Sequence, residues 1–286
     1  MEKRSKTNKF FCWILTIILM IEIIAISVLS IANNTILKKS YIEAQLEKTG
    51  FYTQIKGNIE EMFKNYVLQA NLDDEIVENL ITDDKIKQDV NQVLEAVYNQ
   101  KAISVETDTI KTELQNRINQ KLMLGKNITI TKEAQKSIND FIDIIINNYK
   151  SNMEISESAI KQIGNMVGII NTKITKYSNV LYITTIATAI LLAIICFARC
   201  KNKKSILNIY HAIALLASGS TLIITWIISK IQIKPDNIII YNKAITNLLI
   251  SIIKNIQANI LQYGIVLFSV GLIISIIENI RLKDKE

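Results

Sequence analysis

Glu22 is the residue whose chemistry fits its surroundings least well. It lies near the middle of an apolar run, residues 10–32, where a charged carboxylate inside a bilayer would cost at least a few kcal/mol. A functional carboxyl at this depth would act as a proton or ion relay or would contact a ligand. The structural alternative, which we favour, is a neutral carboxyl hydrogen-bonded to a neighbouring helix. Hydroxyl groups that could bind it belong to Thr184, Thr185, Thr188, Ser218, Ser220 and Thr221.

His211 is the only histidine, and its neutral imidazole could exchange protons or bind a metal. His211 lies about a turn and a half after the start of a later apolar run, residues 206–229. A rise of about 1.5 Å per residue places Glu22 roughly 18 Å and His211 roughly 9 Å from the same membrane face. A direct pair would need a strong tilt, so we do not expect the two side chains to meet.

The three cysteines, Cys12, Cys196 and Cys200, lie near those ends of apolar runs that carry basic residues. Together with His211 they could offer thiolate and imidazole ligands to a metal. Their spacing matches no compact zinc motif, and buried cysteine commonly behaves as a small apolar residue. We therefore predict packing positions, rather than a metal, redox or lipid-attachment site, and no cofactor.

Ser218 lies in a tract of small residues that could suggest an intramembrane serine protease. His211 precedes it by seven residues on the same predicted helix, about 10 Å away by helical rise. That distance is too long for a base to take the hydroxyl proton. The pairs Ala214/Ser218 and Gly271/Ser275 have the small-xxx-small spacing of helix contacts instead. One histidine also excludes HExxH, so we predict a non-enzymatic protein.

Four apolar segments are long enough to cross a bilayer, which takes about 20 helical residues. They are residues 10–32, 179–198, 206–229 and 259–278. Basic residues cluster at alternate ends of these segments, in 1–9, 199–205 and 279–286. The positive-inside rule therefore predicts a multi-pass cell-membrane protein with both termini in the cytoplasm. The basic residues that give the net charge of +7 flank the predicted spans. We therefore predict no nucleic-acid binding.

A cleaved signal peptide is the alternative for the first segment. Ser30-Ile31-Ala32 offers small residues of the kind that a signal peptidase reads. The apolar run exceeds 20 residues, whereas signal cores have about 7–15. We therefore favour an uncleaved span.

Residues 33–178 are predicted to form an extracytoplasmic helical bundle, which makes the fold class all-α. Apolar residues recur every three or four positions in four stripes, which begin at Tyr52, Ile86, Ile110 and Ala134. Helix starts are expected at Asp73 or Asp74 and at three threonines, each of which can accept from first-turn amides. Those threonines are Thr82, Thr107 and Thr131. Gly50 and Gly125 are expected helix ends.

The last outer helix has apolar residues at coiled-coil spacing from Ile160 to Tyr177. We expect it to continue without a break into residues 179–198. Gly164 and Gly168 would allow a close helix crossing, within the bundle rather than in a dimer. A second outer segment, residues 230–258, is predicted to be an amphipathic helix. It could lie on the outer leaflet or, as we favour, pack against the larger loop.

The run Leu46-Glu47-Lys48-Thr49-Gly50-Phe51-Tyr52, followed by helices and a stalk, resembles uncharacterised four-span membrane proteins of low-GC Gram-positive bacteria. The resemblance covers most of the outer loop and implies no function. We expect an adaptor, scaffold or sensor component whose outer domain binds a partner or ligand, with the lipid bilayer and a protein partner or oligomer as its contacts. The alternative is a transport-associated, permease-like subunit, although residues 199–205 leave little surface for docking a cytoplasmic ATPase.

Overall fold

The fold is that of a computed structural model, which describes residues 2–99, 105–123, 131–153, 157–199, 203–239 and 242–283. Every regular element in these ranges is helical, so the all-α prediction is confirmed for them. The α-helices are α1 (Glu2–Asn34), α2 (Lys39–Lys48), α3 (Phe51–Gln69), α4 (Asp83–Asn99), α5 (Asp108–Met123), α6 (Lys132–Met153), α7 (Glu157–Arg199), α8 (Lys203–Gln232) and α9 (Lys243–Lys283). Short 3-10 helices cover Asp74–Ile76 and Pro235–Asn237.

Four of these helices are long and apolar enough to cross a membrane. The apolar stretches are Lys9–Asn34, Gly168–Phe197, Ser205–Asn237 and Lys243–Lys283. Each overlaps one of the four predicted segments and extends beyond it at one end or both. The number and order of candidate spans therefore agree with the sequence.

Helix α9 differs from the prediction in its starting point. The sequence indicated a separate amphipathic helix before residue 259, but α9 runs unbroken for 41 residues from Lys243. No proline falls within α9, and its first glycine is Gly264, so nothing in the backbone chemistry interrupts the helix. Pro235 begins the 3-10 turn that precedes it.

Helix α7 is continuous over 43 residues, as expected for a stalk that joins a span. The stripe of apolar residues that predicted it is only partly described. Ile170 and Tyr177 are 45% and 60% exposed. Contacts within the chain therefore leave these two residues of the stripe largely exposed.

The chain divides into two compact units. The first, which we call the apolar unit, comprises Met1–Tyr41, Asn171–Ile239 and Leu249–Glu286. The second, the bundle unit, comprises Ile42–Ile170 and Ile240–Leu248. Two separate stretches of sequence therefore build the bundle unit.

The bundle unit has its own hydrophobic core, built from the stripes that the sequence predicted. Phe63 and Val67 of α3, Ile86 of α4, Leu114 of α5 and Ile145 of α6 are fully buried in it. Two of the predicted caps are formed: Thr82 Oγ1 accepts from the amide of Lys85, and Thr131 Oγ1 from that of Ala134. Such caps satisfy amides that a helix start leaves without partners.

Gly50 joins α2 to α3 in a left-handed conformation, with φ of +64°. This conformation favours glycine because a residue with a Cβ atom would be sterically strained in it. Asp73 caps a 3-10 turn by accepting from the amide of Glu75. Gly125 lies outside the described residues.

In the apolar unit, α1 contacts each of the other three long helices. Cys12 packs with Cys196 of α7, Ser218 of α8 bonds to α1, and Ser30 bonds to Tyr263 of α9 at 2.8 Å. The opposite helix faces are apolar and open: Ile183, for example, is 68% exposed. Apolar surface of this extent is typical of helices that contact lipid.

Candidate functional site

Glu22 is buried where α1 meets α7. Its side chain is 8% exposed, and Thr188 Oγ1 of α7 donates to its Oε1 at 3.3 Å. Its Oε2 is buried and has no hydrogen-bond partner among the described residues. Of the hydroxyl partners expected from the sequence, Thr188 is the one that bonds to Glu22. Thr184 and Thr185 instead donate to the carbonyl of Leu181 on their own helix.

Ser218 connects α8 to α1 at Met20, two residues before Glu22. It is fully buried, and its hydroxyl lies 2.7 Å from the carbonyl of Ala214 and 3.1 Å from that of Met20. Ala214 is also fully buried. The predicted small-xxx-small pair therefore faces a helix contact, and the serine hydroxyl is committed to backbone carbonyls.

His211 does not join this group. Its Nδ1 lies 2.9 Å from the carbonyl of Leu207, which can only accept, so Nδ1 carries the proton in this bond. The structure shows no hydrogen bond between His211 and Glu22 or Ser218 among its described residues. Glu22 and Ser218 thus each hydrogen-bond to another helix, whereas the hydrogen bond of His211 stays within α8.

Gly271 lies at a close approach between α8 and α9. A Cβ atom on Gly271 would lie 2.8 Å from the backbone nitrogen of Leu216 and 2.9 Å from the carbonyl of Ala212. Sequence reasoning missed two equivalent positions, Gly219 and Gly264, whose added Cβ atoms would lie 2.5 Å and 2.9 Å from atoms of the facing helix. Gly264 lies seven residues, about two helical turns, before Gly271, and that spacing was a signal for Gly264.

The remaining predicted contact positions are described less completely. Ser275 is half-buried on α9, one turn after Gly271. Gly168 is half-buried and begins the apolar stretch of α7. Gly164 lies in α7, but its surroundings fall outside the described residues.

Cys12 and Cys196 are buried together with Leu192 in a small cluster between α1 and α7. Neither forms a disulfide. Within the described part of the chain, no three His, Cys, Asp or Glu side chains are grouped so that they could hold a metal ion. Cys200 lies outside the described residues.

Glu278 is a second buried carboxyl of the apolar unit, and the sequence analysis did not single it out. It is 2% exposed. Its Oε1 accepts from Asn208 Nδ2 of α8 at 2.7 Å and from Arg281 Nη1 at 2.8 Å. The pattern that could have revealed it is an acid three residues before an arginine at a helix end.

Asp89 is a fully buried carboxyl in the bundle unit. Lys85 Nζ donates to its Oδ1 at 2.6 Å, and the hydroxyl of Tyr149 donates to its Oδ2. Burial, followed by the hydrogen bond to Asp89, raises the pKa of Tyr149. Asp89 interrupts the apolar stripe of α4 three residues after Ile86, and an acid in a core stripe is a signal of a buried pair.

A shallow groove along α3 is the candidate contact surface of the bundle unit. Its volume is about 500 Å³, within the range of about 300–1,000 Å³ that is usual for ligand sites. Its walls present amide, carboxylate and phenol groups together with one thioether. The lining residues are Asn58, Glu61, Met62, Asn65, Tyr66 and Gln69.

A search of protein-family models, curated proteins and solved structures found no match to this chain. Its function is therefore inferred from its own residues.

Proposed function

We propose that the chain is a multi-pass cell-membrane protein whose extracytoplasmic helical domain binds a partner or ligand at the cell envelope. In this proposal the bundle unit is the binding domain, and the apolar unit is its membrane anchor. The protein acts as an adaptor, scaffold or sensor component rather than as an enzyme.

The observation that carries the proposal is that two connections share one core. Residues Ile42–Ile170 connect α1 to α7, and Ile240–Leu248 connect α8 to the rest of α9; both belong to the bundle unit. Leu248 packs against the core of that unit, and Asn247 Nδ2 donates to Gln54 Oε1 at 3.1 Å. In a four-span chain, the first and third connections lie on the same side. A shared core supports that topology.

The distribution of basic residues along the chain favours an extracytoplasmic position for the core of the bundle unit. Residues 1–9 carry four bases and one acid, and residues 199–205 carry four bases and no acid. Such clusters are retained in the cytoplasm. Both termini would then be cytoplasmic, and the two connections that form the bundle unit would be extracytoplasmic.

The side chains that could be catalytic support a binding role. Ser218 directs its hydroxyl to the carbonyls of Ala214 and Met20, and His211 directs Nδ1 to that of Leu207. A nucleophile and a base need to lie within hydrogen-bond reach of each other. The α3 groove offers hydrogen-bonding groups instead, which suits recognition.

Site-specific photocrosslinking in living cells tests the proposal. Benzoylphenylalanine at Asn65, in the α3 groove, should capture one partner, which mass spectrometry identifies. Benzoylphenylalanine at Lys136, an exposed position of α6 outside the groove, is the matched control. A single envelope partner captured at Asn65 but not at Lys136 would support recognition by this groove. Capture of a transport ATPase from either position would instead favour a transport subunit, and no capture at Asn65 would contradict the proposed groove.

A further inference from the structure

An apolar groove lies between α1 and α7 within the apolar unit. Its volume is about 470 Å³, within the range of about 300–1,000 Å³ that is usual for ligand sites. Ala25, Val28 and Leu29 of α1 form one wall, and Tyr177 and Thr184 of α7 lie at the two ends of the other. All of these residues belong to two of the candidate membrane spans.

The lining of the groove suits a hydrocarbon chain. Apart from Tyr177 and Thr184, its described residues are aliphatic. The Thr184 hydroxyl donates to the carbonyl of Leu181 at 2.9 Å, so it needs no partner in the groove. Val28 and Val180, one on each helix, are both 51% exposed. The groove is therefore open along its side, and in a bilayer an acyl chain can enter it from there.

Two exposed lysines of α7 lie beside one end of the groove. Lys173 lies one helical turn before Tyr177 on the same face, and Lys176 directly precedes that tyrosine. Residues 25–41 and 171–184, which build and flank the groove, contain no aspartate or glutamate. The positive charge at this end is therefore not matched by acids in the same segments.

The height of these lysines fits the headgroup layer of a bilayer. Lys173 and Lys176 lie six and three residues before the predicted span that begins at residue 179, or about 9 Å and 4.5 Å by helical rise. The headgroup region extends about 5–8 Å beyond the hydrocarbon on each side. Tyrosine is enriched at this boundary, and Tyr177 lies between the lysines and the aliphatic lining. The order along α7 therefore matches that of a phospholipid, with its phosphate outside and its acyl chain inside.

We propose that this groove binds one anionic phospholipid of the outer leaflet. An acyl chain occupies the space between α1 and α7, and Lys173 and Lys176 pair with the phosphate. Basic residues at this height favour an anionic headgroup over a zwitterionic one, which has no net charge. The inference rests on the membrane placement proposed above, but not on the α3 groove or its partner.

Native mass spectrometry of the full-length protein tests the headgroup. The protein is released from detergent micelles that contain equal amounts of phosphatidylglycerol and phosphatidylcholine with the same acyl chains. Wild type should retain one phosphatidylglycerol in preference to phosphatidylcholine. Lys173→Gln should reduce this preference about fivefold, the contribution expected of one lysine near a membrane surface. Lys230→Gln, at an exposed lysine in the last turn of α8 and outside the groove, is the matched control and should not change it.

Filling the groove tests the acyl chain separately. Ala25 has the smallest side chain of the described lining residues, so Ala25→Leu should reduce the retention of both lipids. Ala258→Leu, at an exposed alanine of α9 outside the groove, is the matched control and should not. Lys173→Gln changes an exposed side chain, so it provides an independent reading if Ala25→Leu does not fold.

Equal retention of the two lipids by the wild type, or equal effects of Lys173→Gln and Lys230→Gln, would overturn the proposal. A dimer mass that disappears in Ala25→Leu would show instead that a second copy of the chain occupies the groove. Alkaline extraction of membranes checks the placement separately. Protein released by extraction would contradict the placement and with it the lipid site, whereas retained protein without lipid selectivity would contradict the lipid site alone.

Discussion

Glu22 and Asp89 are two buried carboxyls with opposite surroundings. Asp89 accepts from an ammonium group at 2.6 Å and from a buried tyrosine, so its charge is matched. Glu22 has one hydroxyl at 3.3 Å. The difference determines what a neutral substitution should do at each position.

Glu22→Gln should be tolerated. Glutamine has the shape of a neutral carboxyl and can still accept from Thr188, so little packing is lost. We expect near-normal membrane levels and little change in the unfolding temperature in detergent, whereas Glu22→Lys should reduce both because it introduces a charge. Loss of function with normal membrane levels in Glu22→Gln would instead show that the ionisable group is required.

Tyr149→Phe should destabilise the bundle unit by about 1–3 kcal/mol. The substitution removes a donor from a fully buried carboxylate and leaves its oxygen unsatisfied. Lys111→Ala is the control: it breaks an ion pair with Asp143 whose side chains are 43% and 51% exposed, and such pairs contribute about 0–1 kcal/mol. Thermal unfolding of the two variants, together with limited proteolysis of the bundle unit, compares them. Equal effects would mean that the buried bond is not stabilising.

The stability of the bundle unit should fall in alkali. Burial and Asp89 raise the pKa of Tyr149, and hydrogen bonds to Glu75 and Asp73 raise that of Lys121. A raised pKa in the folded state adds stability that is complete below the unfolded pKa, about 10 for both groups, and is lost as pH rises. The unfolding temperature should therefore drop above about pH 10, and less so in Tyr149→Phe. A pH-independent unfolding temperature in this range would contradict the assignment.

At the scale of elements, most starts and stops could be predicted from the sequence. Thr82, Thr131 and Gly50 act as predicted because capping and left-handed glycine are local chemistry. The continuity of α9 was not predicted, because a change from an amphipathic to an apolar pattern does not itself end a helix. Gly219 and Gly264 were missed because close approach depends on how two helices cross.

Gly219→Ala should weaken the α8–α9 contact. Its Cβ atom would lie 2.5 Å from the backbone nitrogen of Phe268 and 2.7 Å from the carbonyl of Gly264, and backbone cannot move aside cheaply. We expect a loss of about 1–3 kcal/mol, as for other overpacked sites. The measurement is the unfolding temperature of the full-length protein in detergent.

Gly57→Ala is the matched control for that substitution. Gly57 also lies within a helix, but nothing lies within 4 Å of its added Cβ atom. Alanine should therefore stabilise α3 by about 0.5–1 kcal/mol. Opposite signs for the two substitutions are the expected result. A stabilising Gly219→Ala would show that α8 and α9 do not pack this closely.

At the scale of the whole molecule, the sequence predicts four apolar helices, and the structure contains them. Hydrophobic length is a property of single segments, so it can be predicted from the residues of each segment alone. That Ile240–Leu248 would join the core of a domain at least 70 residues earlier in the chain depends on long-range packing. The amphipathic pattern of residues 230–258 favoured packing against the larger loop, and Leu248 does pack against the core of the bundle unit.

Cysteine accessibility would determine the side of the membrane on which these connections lie. In a background in which Cys12, Cys196 and Cys200 are replaced by alanine, single cysteines are placed at Asn116, Ile239 and Lys283, all exposed. A membrane-impermeant maleimide on intact cells should label Asn116→Cys and Ile239→Cys equally, and Lys283→Cys only after the cells are opened. Labelling of Lys283→Cys in intact cells, or of only one of the other two, would contradict the proposed topology.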